Sequence, residues 1–170
     1  GDDRILRAFG PDKFELAVGI GIGSENLHLN HQLEHRLKIF NSFSSQGYSF
    51  PALIHPKAVV AKGCNIGNGV QIFSGSIIQP NCSIGDLSIL NTKASVDHDC
   101  SIGRASHIAP GVTCGGNVEI GTQVHIGIGA IILPNINIKD NSIVAAGSVV
   151  NADVDIGEKV GGTPARLMVK

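Results

Sequence analysis

The sequence predicts an all-β dominated chain, a left-handed parallel β-helix of about six coils with a small partial α/β segment at the N-terminal end. Three observations predict it. Counted in sixes from Ile54, every position is apolar, eighteen in a row through Val60, Ile66 and Ile72 to Val150 and Ile156. The residue four places after each is small or β-branched, as at Ala58, Cys64, Val70 and Ser76. Glycine follows the apolar residue at seven places, Gly67, Gly85, Gly103, Gly115, Gly121, Gly127 and Gly157.

A helix of period 3.6 cannot hold a six-residue phase on one face, and a plain strand alternates every two. Short strands bent at regular corners can hold it, with a bulky aliphatic and a small partner from each hexad pointing inward. Three hexads then close a triangular coil of 18 residues, and coils stack as parallel strands about 4.8 Å apart. The short, regular hexad points to left-handed winding, an exception to the usual right-handed crossover. Residues 54–161 fill six coils with no break in phase, and the recurring glycines are expected to relax the backbone near the bends. Cys64, Cys82 and Cys100, 18 apart, should form an internal column. Adjacent coils hold such side chains farther apart than a disulfide prefers, so the column reads as small buried thiols.

Residues 1–50 are expected to form the partial α/β segment, half of an α/β unit. Phe14 to Val18 reads as a strand and Gly19-Ile20-Gly21-Ile22-Gly23 as a turn. Leu33, Leu37, Phe40 and Phe43 recur at helical spacing, with Asn30 as a cap and Gly47 as the stop. Tyr48 to Leu53 then leads into the first coil. The β-helix is assigned to 51–161, and 162–170 to a C-terminal tail.

Composition excludes several classes. With 16% charged residues, a net charge of −1 and a pI near 6.7, the chain has no basic field for nucleic acid. No apolar run approaches a membrane span, and no secretory leader opens the sequence. With 42% apolar residues it is not a disordered chain. The expectation is a cytoplasmic domain, its opening Gly1 suggesting a chain cut from something longer.

Of seven histidines, His98, His107 and His125 lie on the β-helix beyond its first hexad. His107 and His125 are 18 apart, so they should be neighbours at equivalent outward positions of adjacent coils. His98 lies nine residues before His107, half a coil away and on another side of the prism. One site using both must be built between subunits. His98 stands between Asp97 and Asp99, and a carboxylate on one ring nitrogen would leave the other as a base. Neighbouring strand residues face opposite ways, so Asp99 can serve only if the chain bends there, and either aspartate is a candidate. His125 suits a surface or interface position as well as a binding one.

Asn91-Thr92-Lys93-Ala94-Ser95-Val96-Asp97-His98-Asp99-Cys100, with Ser106-His107-Ile108 and Cys114-Gly115-Gly116-Asn117-Val118, resembles the NeuD-type sialic acid O-acetyltransferase and bacterial nucleotide-sugar N-acetyltransferase family. The ending Val160-Gly161-Gly162-Thr163-Pro164-Ala165-Arg166 is similar too. The resemblance implies transfer from acetyl-CoA to an amino or hydroxyl group of a sugar by direct attack on the thioester. It makes His98 the general base, Asp99 its polarising partner, and Gly116 N–H the donor to the carbonyl oxygen. His107, Gly116, Asn117, His125 and Gly127 are assigned to acetyl-CoA binding, with no metal. A homotrimer with sites between subunits is implied as well.

Two features depart from that family. Its opening strand, Gly-rich turn and helix are missing here, which leaves a catalytically incomplete fragment as an alternative, and Lys93 stands where the family often has glycine. Zinc enzymes of the γ-carbonic anhydrase type share the fold, but their ligands include two histidines five apart, against spacings of 9 and 18 here. An ice-binding prism would carry an outward threonine array, which this sequence lacks.

Overall fold

The computed structural model describes residues 10–20 and 29–168. Seventeen two-residue strands recur at six-residue intervals from Leu53–Ile54 to Val149–Val150, followed by Lys159–Gly162 and Ala165–Leu167. Pairings among the seventeen are parallel and join residues 18 apart, as in Ile54↔Ile72, Val60↔Ile78 and Ile66↔Ile84. Three strands complete each coil of a left-handed triangular prism. Its first face starts at Leu53–Ile54, its second at Val59–Val60 and its third at Asn65–Ile66.

The second residue of each strand points inward, and from Ile72 to Val150 all of these are buried together with the small residues four places on. Each large aliphatic so buried contributes roughly 1.5–3 kcal/mol over an exposed one. The polar inner residues are satisfied by a repeated bond. Ser76, Ser88 and Ser106 donate to the carbonyls of Asn91, Gly103 and Gly121, fifteen residues on, at 2.8, 2.8 and 2.7 Å. Cys64, Cys82 and Cys100 do the same toward Gln79, Asp97 and Gly115 at 3.1, 3.0 and 3.2 Å. The thiol column is thus present, unbridged, and burial pushes the Cys82 thiol up to about 11.

The glycines following the inward aliphatics have a different role from the one expected. Gly67, Gly85, Gly103, Gly115, Gly121 and Gly127 do not take the left-handed conformation. A Cβ on Gly103 would lie 2.5 Å from the Gly121 carbonyl carbon, and one on Gly127 2.5 Å from the Ala146 nitrogen. Close approach of the next coil is what demands glycine. The bend is made two residues later, where φ is positive at Gly75, Gly111 and Gly129 and also at Asn81, Lys93, Asp99 and Asn117.

The hexad phase also breaks once. Val154 pairs with Ile138 and Val160 with Val144, so the last coil spans 16 residues rather than 18. Ile156, an inward position if the hexads ran on unbroken, is 72% exposed, while Val154 is 1% exposed and takes the aliphatic place two residues earlier. The shortened corner is held by Asp153 Oδ1, which accepts from Asn137 N–H at 2.8 Å. Ser142 donates to Asp155 O, thirteen residues on, at 2.8 Å, the same offset of two. Gly157 accordingly belongs with the left-handed set, at φ 72°.

The N-terminal segment combines one α-helix with one parallel β-bridge. Its helix runs Leu29–Ser44, so Asn30 is a helical residue rather than a cap, and Gly47 turns the chain at φ 91°. The two expected strands reduce to one parallel bridge, Glu15↔Ser49, with Leu16 N–H donating to Ser49 O at 2.9 Å. No third strand among the described residues extends that pair. Val18, Phe40, Tyr48 and Phe50 pack instead with Leu87 and Ala105 on the corner between the third and first faces. Gly21 to Gly23 of the glycine run lie outside the described residues. At the other end, residues expected as a tail form a hairpin. Gly162, at φ 100°, and the cis Thr163–Pro164 bond return the chain so that Ala165–Leu167 pairs antiparallel with Lys159–Gly162.

Candidate active site

His98 sits on the corner between the second and third faces, in the turn after Ser95–Val96. The next residue, Asp99, is left-handed at φ 59°, and this bend brings its carboxylate back toward the imidazole. Asp99 Oδ2 lies 2.7 Å from His98 Nδ1. Asp97 acts on the backbone, its Oδ1 accepting from His98 N–H at 2.8 Å. Of the two candidate aspartates, Asp99 therefore holds the ring. A carboxylate on Nδ1 keeps the proton there and leaves Nε2 as the acceptor. The Asp99 hydrogen bond, helped by the charge of Asp97, raises the His98 pKa above its ordinary value. Asp99 is correspondingly held low.

One coil above His98 lies Gly116. A Cβ there would fall 2.7 Å from His98 Cε1 and 2.8 Å from Nε2, so only glycine leaves room for the ring. Asn117 N–H donates to His98 O at 2.9 Å, which fixes the two turns against each other. The N–H of Gly116 itself meets no acceptor among the described residues. A basic ring nitrogen and a free backbone donor thus lie together on one corner. Lys93 occupies a left-handed turn position, at φ 59°, which accounts for glycine being the residue expected there.

His107 and His125 pair in register on the first face, their ring centroids 5.1 Å apart. The outward face they share is closed at His107 and half-buried at His125. His107 is only 7% exposed, because the N-terminal segment covers the strands below it. Gln71 Nε2 donates to Val18 O at 2.9 Å, and Arg36, buried in the helix, donates to the carbonyls of Val18, Ile20 and Leu87. Burial, the neighbouring His125 and the Arg36 cation push the His107 pKa down to about 3. Burial alone holds His125 at about 4. Both rings are neutral near pH 7. Asn91 Oδ1 accepts from Thr92 N–H at 2.8 Å, which turns its amide toward His107 Nε2 at 3.2 Å. His107 therefore carries its proton on Nδ1, and that buried N–H has no acceptor among the described residues.

The structure brings together His98, Asp99, Gly116 and Asn117 on one corner. It sets His107 and His125 on the opposite face, and Gly127 serves coil packing beside them. Sequence reasoning passed over Arg36 and the amide of Asn91. Arg36 shares the helical stripe of Leu33 and Phe40, so its spacing was the available signal. Among the described residues, no three of His, Cys, Asp and Glu come together as ligands for a metal ion. Nor is any helix there long and apolar enough to cross a membrane.

No family model and no curated protein matches the chain. Solved structures do. The acetyltransferase domain of PglB from Neisseria gonorrhoeae, in complex with acetyl coenzyme A, is 30% identical over 99% of this chain and 77% of its own, with a TM-score of 0.89. A histidine variant of perosamine N-acetyltransferase from Caulobacter crescentus, in complex with CoA and GDP-perosamine, is 33% identical over 98% and 73%, with a TM-score of 0.87. The chain belongs to the sugar N-acetyltransferase family. WeeI from Acinetobacter baumannii, 24% identical over 98% and 91% with a TM-score of 0.78, shares the fold. As a member of this family the chain is an acyltransferase with acetyl-CoA as its co-substrate. The N-acetyltransferase relatives support the broader of the two resemblances and not the sialic acid branch in particular.

Proposed function

We propose that the chain transfers the acetyl group of acetyl-CoA to the amino group of a nucleotide-linked sugar, with His98 as the general base. The observation that carries this reading is His98 itself, held at Nδ1 by Asp99 and lying against the glycine whose N–H is free. His98 Nε2 accepts a proton from the acceptor nitrogen as that nitrogen attacks the acetyl carbonyl carbon. The Gly116 N–H donates to the carbonyl oxygen while it carries negative charge. His98 returns the proton to the sulfur as the carbon–sulfur bond breaks, so the products are an amide and the free thiol. No group on the protein needs to be acylated.

The acceptor's class comes from the relative crystallised with GDP-perosamine, and a nucleoside-diphosphate amino sugar is the substrate proposed here. His107, His125 and Gly127 of one chain are proposed to line the acetyl-CoA side of the site, facing Gly116 and Asn117 on the His98 corner of its neighbour. Because His98 and His107 occupy opposite sides of one prism, the site is proposed to form between chains of a homotrimer. Exposed Phe73, Ile77, Ile128 and Ile131, on the second face and its leading corner, supply apolar surface for that contact. The N-terminal segment is proposed to contribute to the acceptor side.

The test is acetyl transfer from acetyl-CoA to a panel of nucleotide-linked amino sugars, GDP-perosamine first, by the native chain and by His98→Ala. Turnover that falls at least about a hundredfold in His98→Ala is expected. Near-normal turnover in that variant overturns the role of His98. Separately inactive His98→Ala and His107→Ala chains should regain activity when mixed and reassembled. No recovery in verified mixed assemblies overturns the shared site.

A further inference from the structure

Beneath Asp99, on the adjacent coil, stands Asn81, and we infer that its side-chain amide is a positioning device for the base, so that the working unit is a three-residue relay, Asn81–Asp99–His98. The inference rests on His98 being the base. The corner between the second and third faces repeats one turn position every 18 residues, at Gly63, Asn81, Asp99, Asn117 and Asn135. All five are left-handed, with φ of 82°, 63°, 59°, 56° and 62°. That conformation explains why glycine, asparagine and aspartate stand there. It does not explain where their side chains point.

Asn81 Nδ2 donates to Asp99 Oδ1 at 3.1 Å, while Asp99 Oδ2 meets His98 Nδ1 at 2.7 Å. Each carboxylate oxygen therefore has its own partner, one from the coil below and one from its own turn. The next step up does not continue the chain of bonds. Asn117 Nδ2 donates to Asn135 Oδ1 at 2.9 Å and leaves Asp99 to Asn81. The carboxylate is exposed, and without that amide it would sample other rotamers and release the imidazole with them. The charges acting on His98 are those of Asp99 and Asp97. The coil below presents Pro80 and Asn81 and the coil above Gly116 and Asn117, all uncharged. Asn81 thus acts on the base only through Asp99.

Asn81→Gly deletes the amide and keeps a residue suited to the left-handed turn. Its kcat is expected to fall about three- to tenfold, with KM for acetyl-CoA unchanged and the acid limb of the pH profile moved to lower pH. Asn81→Asp, which sets a second carboxylate against Asp99, is expected to move that limb to higher pH. A merely structural role would lower the melting temperature and leave the pH profile where it was. The relay is overturned if His98→Ala is inactive while Asn81→Gly keeps the native pH profile, whether or not its kcat falls. If His98→Ala retains activity, the base assignment itself fails, and the relay with it.

Discussion

His98 Nδ1 and Asp99 Oδ2 lie 2.7 Å apart although the two residues are adjacent in the chain. An extended strand would send them to opposite faces. The left-handed φ of 59° at Asp99 is what folds the pair onto itself, and aspartate is among the few residues that adopt it readily. Asp99→Asn keeps that backbone preference and removes the charge. The Asp99 hydrogen bond is the first cause of the raised His98 pKa, so its loss lowers that pKa. Neutral His98 is the active form, and the acid limb of kcat/KM against pH should move to lower pH, with kcat reduced. An unmoved limb in steady-state assays across pH would separate Asp99 from the base.

Gly116→Ala should disable the site without unfolding the prism. Its Cβ would lie 2.7 Å from His98 Cε1, and the exposed ring is the part free to move. Transfer activity is expected to fall at least about tenfold while the melting temperature changes by no more than a few degrees. Activity equal to native would show that the ring does not need the position it occupies here.

Ser106 and Cys100 hold equivalent inner positions and make the same pair of bonds. Ser106 Oγ donates to Gly121 O at 2.7 Å and accepts from Val124 N–H at 3.0 Å. Cys100 Sγ makes the matching pair with Gly115 O at 3.2 Å and Val118 N–H at 3.4 Å. Ser106→Ala leaves both partners buried and unmet, at a cost of about 1–3 kcal/mol. Ser106→Cys should cost clearly less. Denaturant titration of both variants decides it, and equal losses would mean that volume rather than hydrogen bonding sets the residue.

How much of this was legible follows from what a period can carry. Six-residue spacing fixes which side chains point inward, so Ile72, Ser106 and Cys100 could be placed by counting. The His107–His125 contact could be placed in the same way, because a repeat of 18 is a statement about neighbours. Counting says nothing about what lies on the outside of a coil. The burial of His107 depends on Arg36 and Val18, more than seventy residues away, and their approach leaves no trace in the hexads. Nor does the period reveal why a glycine recurs. Gly103 and Gly75 look alike in sequence, yet one admits the next coil and the other makes the bend.

Burial of the two first-face histidines makes stability depend on pH. Their pKa values in the fold, about 3 for His107 and about 4 for His125, lie below the ordinary value near 6.5. Between those limits the unfolded chain binds protons that the folded chain refuses. Stability is therefore full above about pH 6.5 and declines as pH falls toward 4, by up to about 1.4 kcal/mol per pH unit for each histidine. Melting temperatures measured from pH 7 to 5, above the carboxylate range, should drop for the native chain and drop less for His107→Gln. Parallel profiles for the two would show that His107 is protonated without penalty.

The two-residue shift in the last coil makes the sharpest test of the structure against the simple repeat. Read as uninterrupted hexads, the sequence puts Ile156 inside and Val154 at a small-residue position beside it. The pairing of Val154 with Ile138 turns the aliphatic side of the coil two residues earlier, and Ile156 goes into solvent. Val154→Ala should then cost about 1–3 kcal/mol, the loss expected for removing buried methyl groups beneath the closing hairpin. Ile156→Ala should stay within about 0.5 kcal/mol of native. Asp153→Ala should also destabilise, because its carboxylate is the acceptor for Asn137 N–H where the shortened corner supplies no carbonyl. A larger loss at Ile156 than at Val154 would restore the unbroken repeat, and with it an 18-residue last coil.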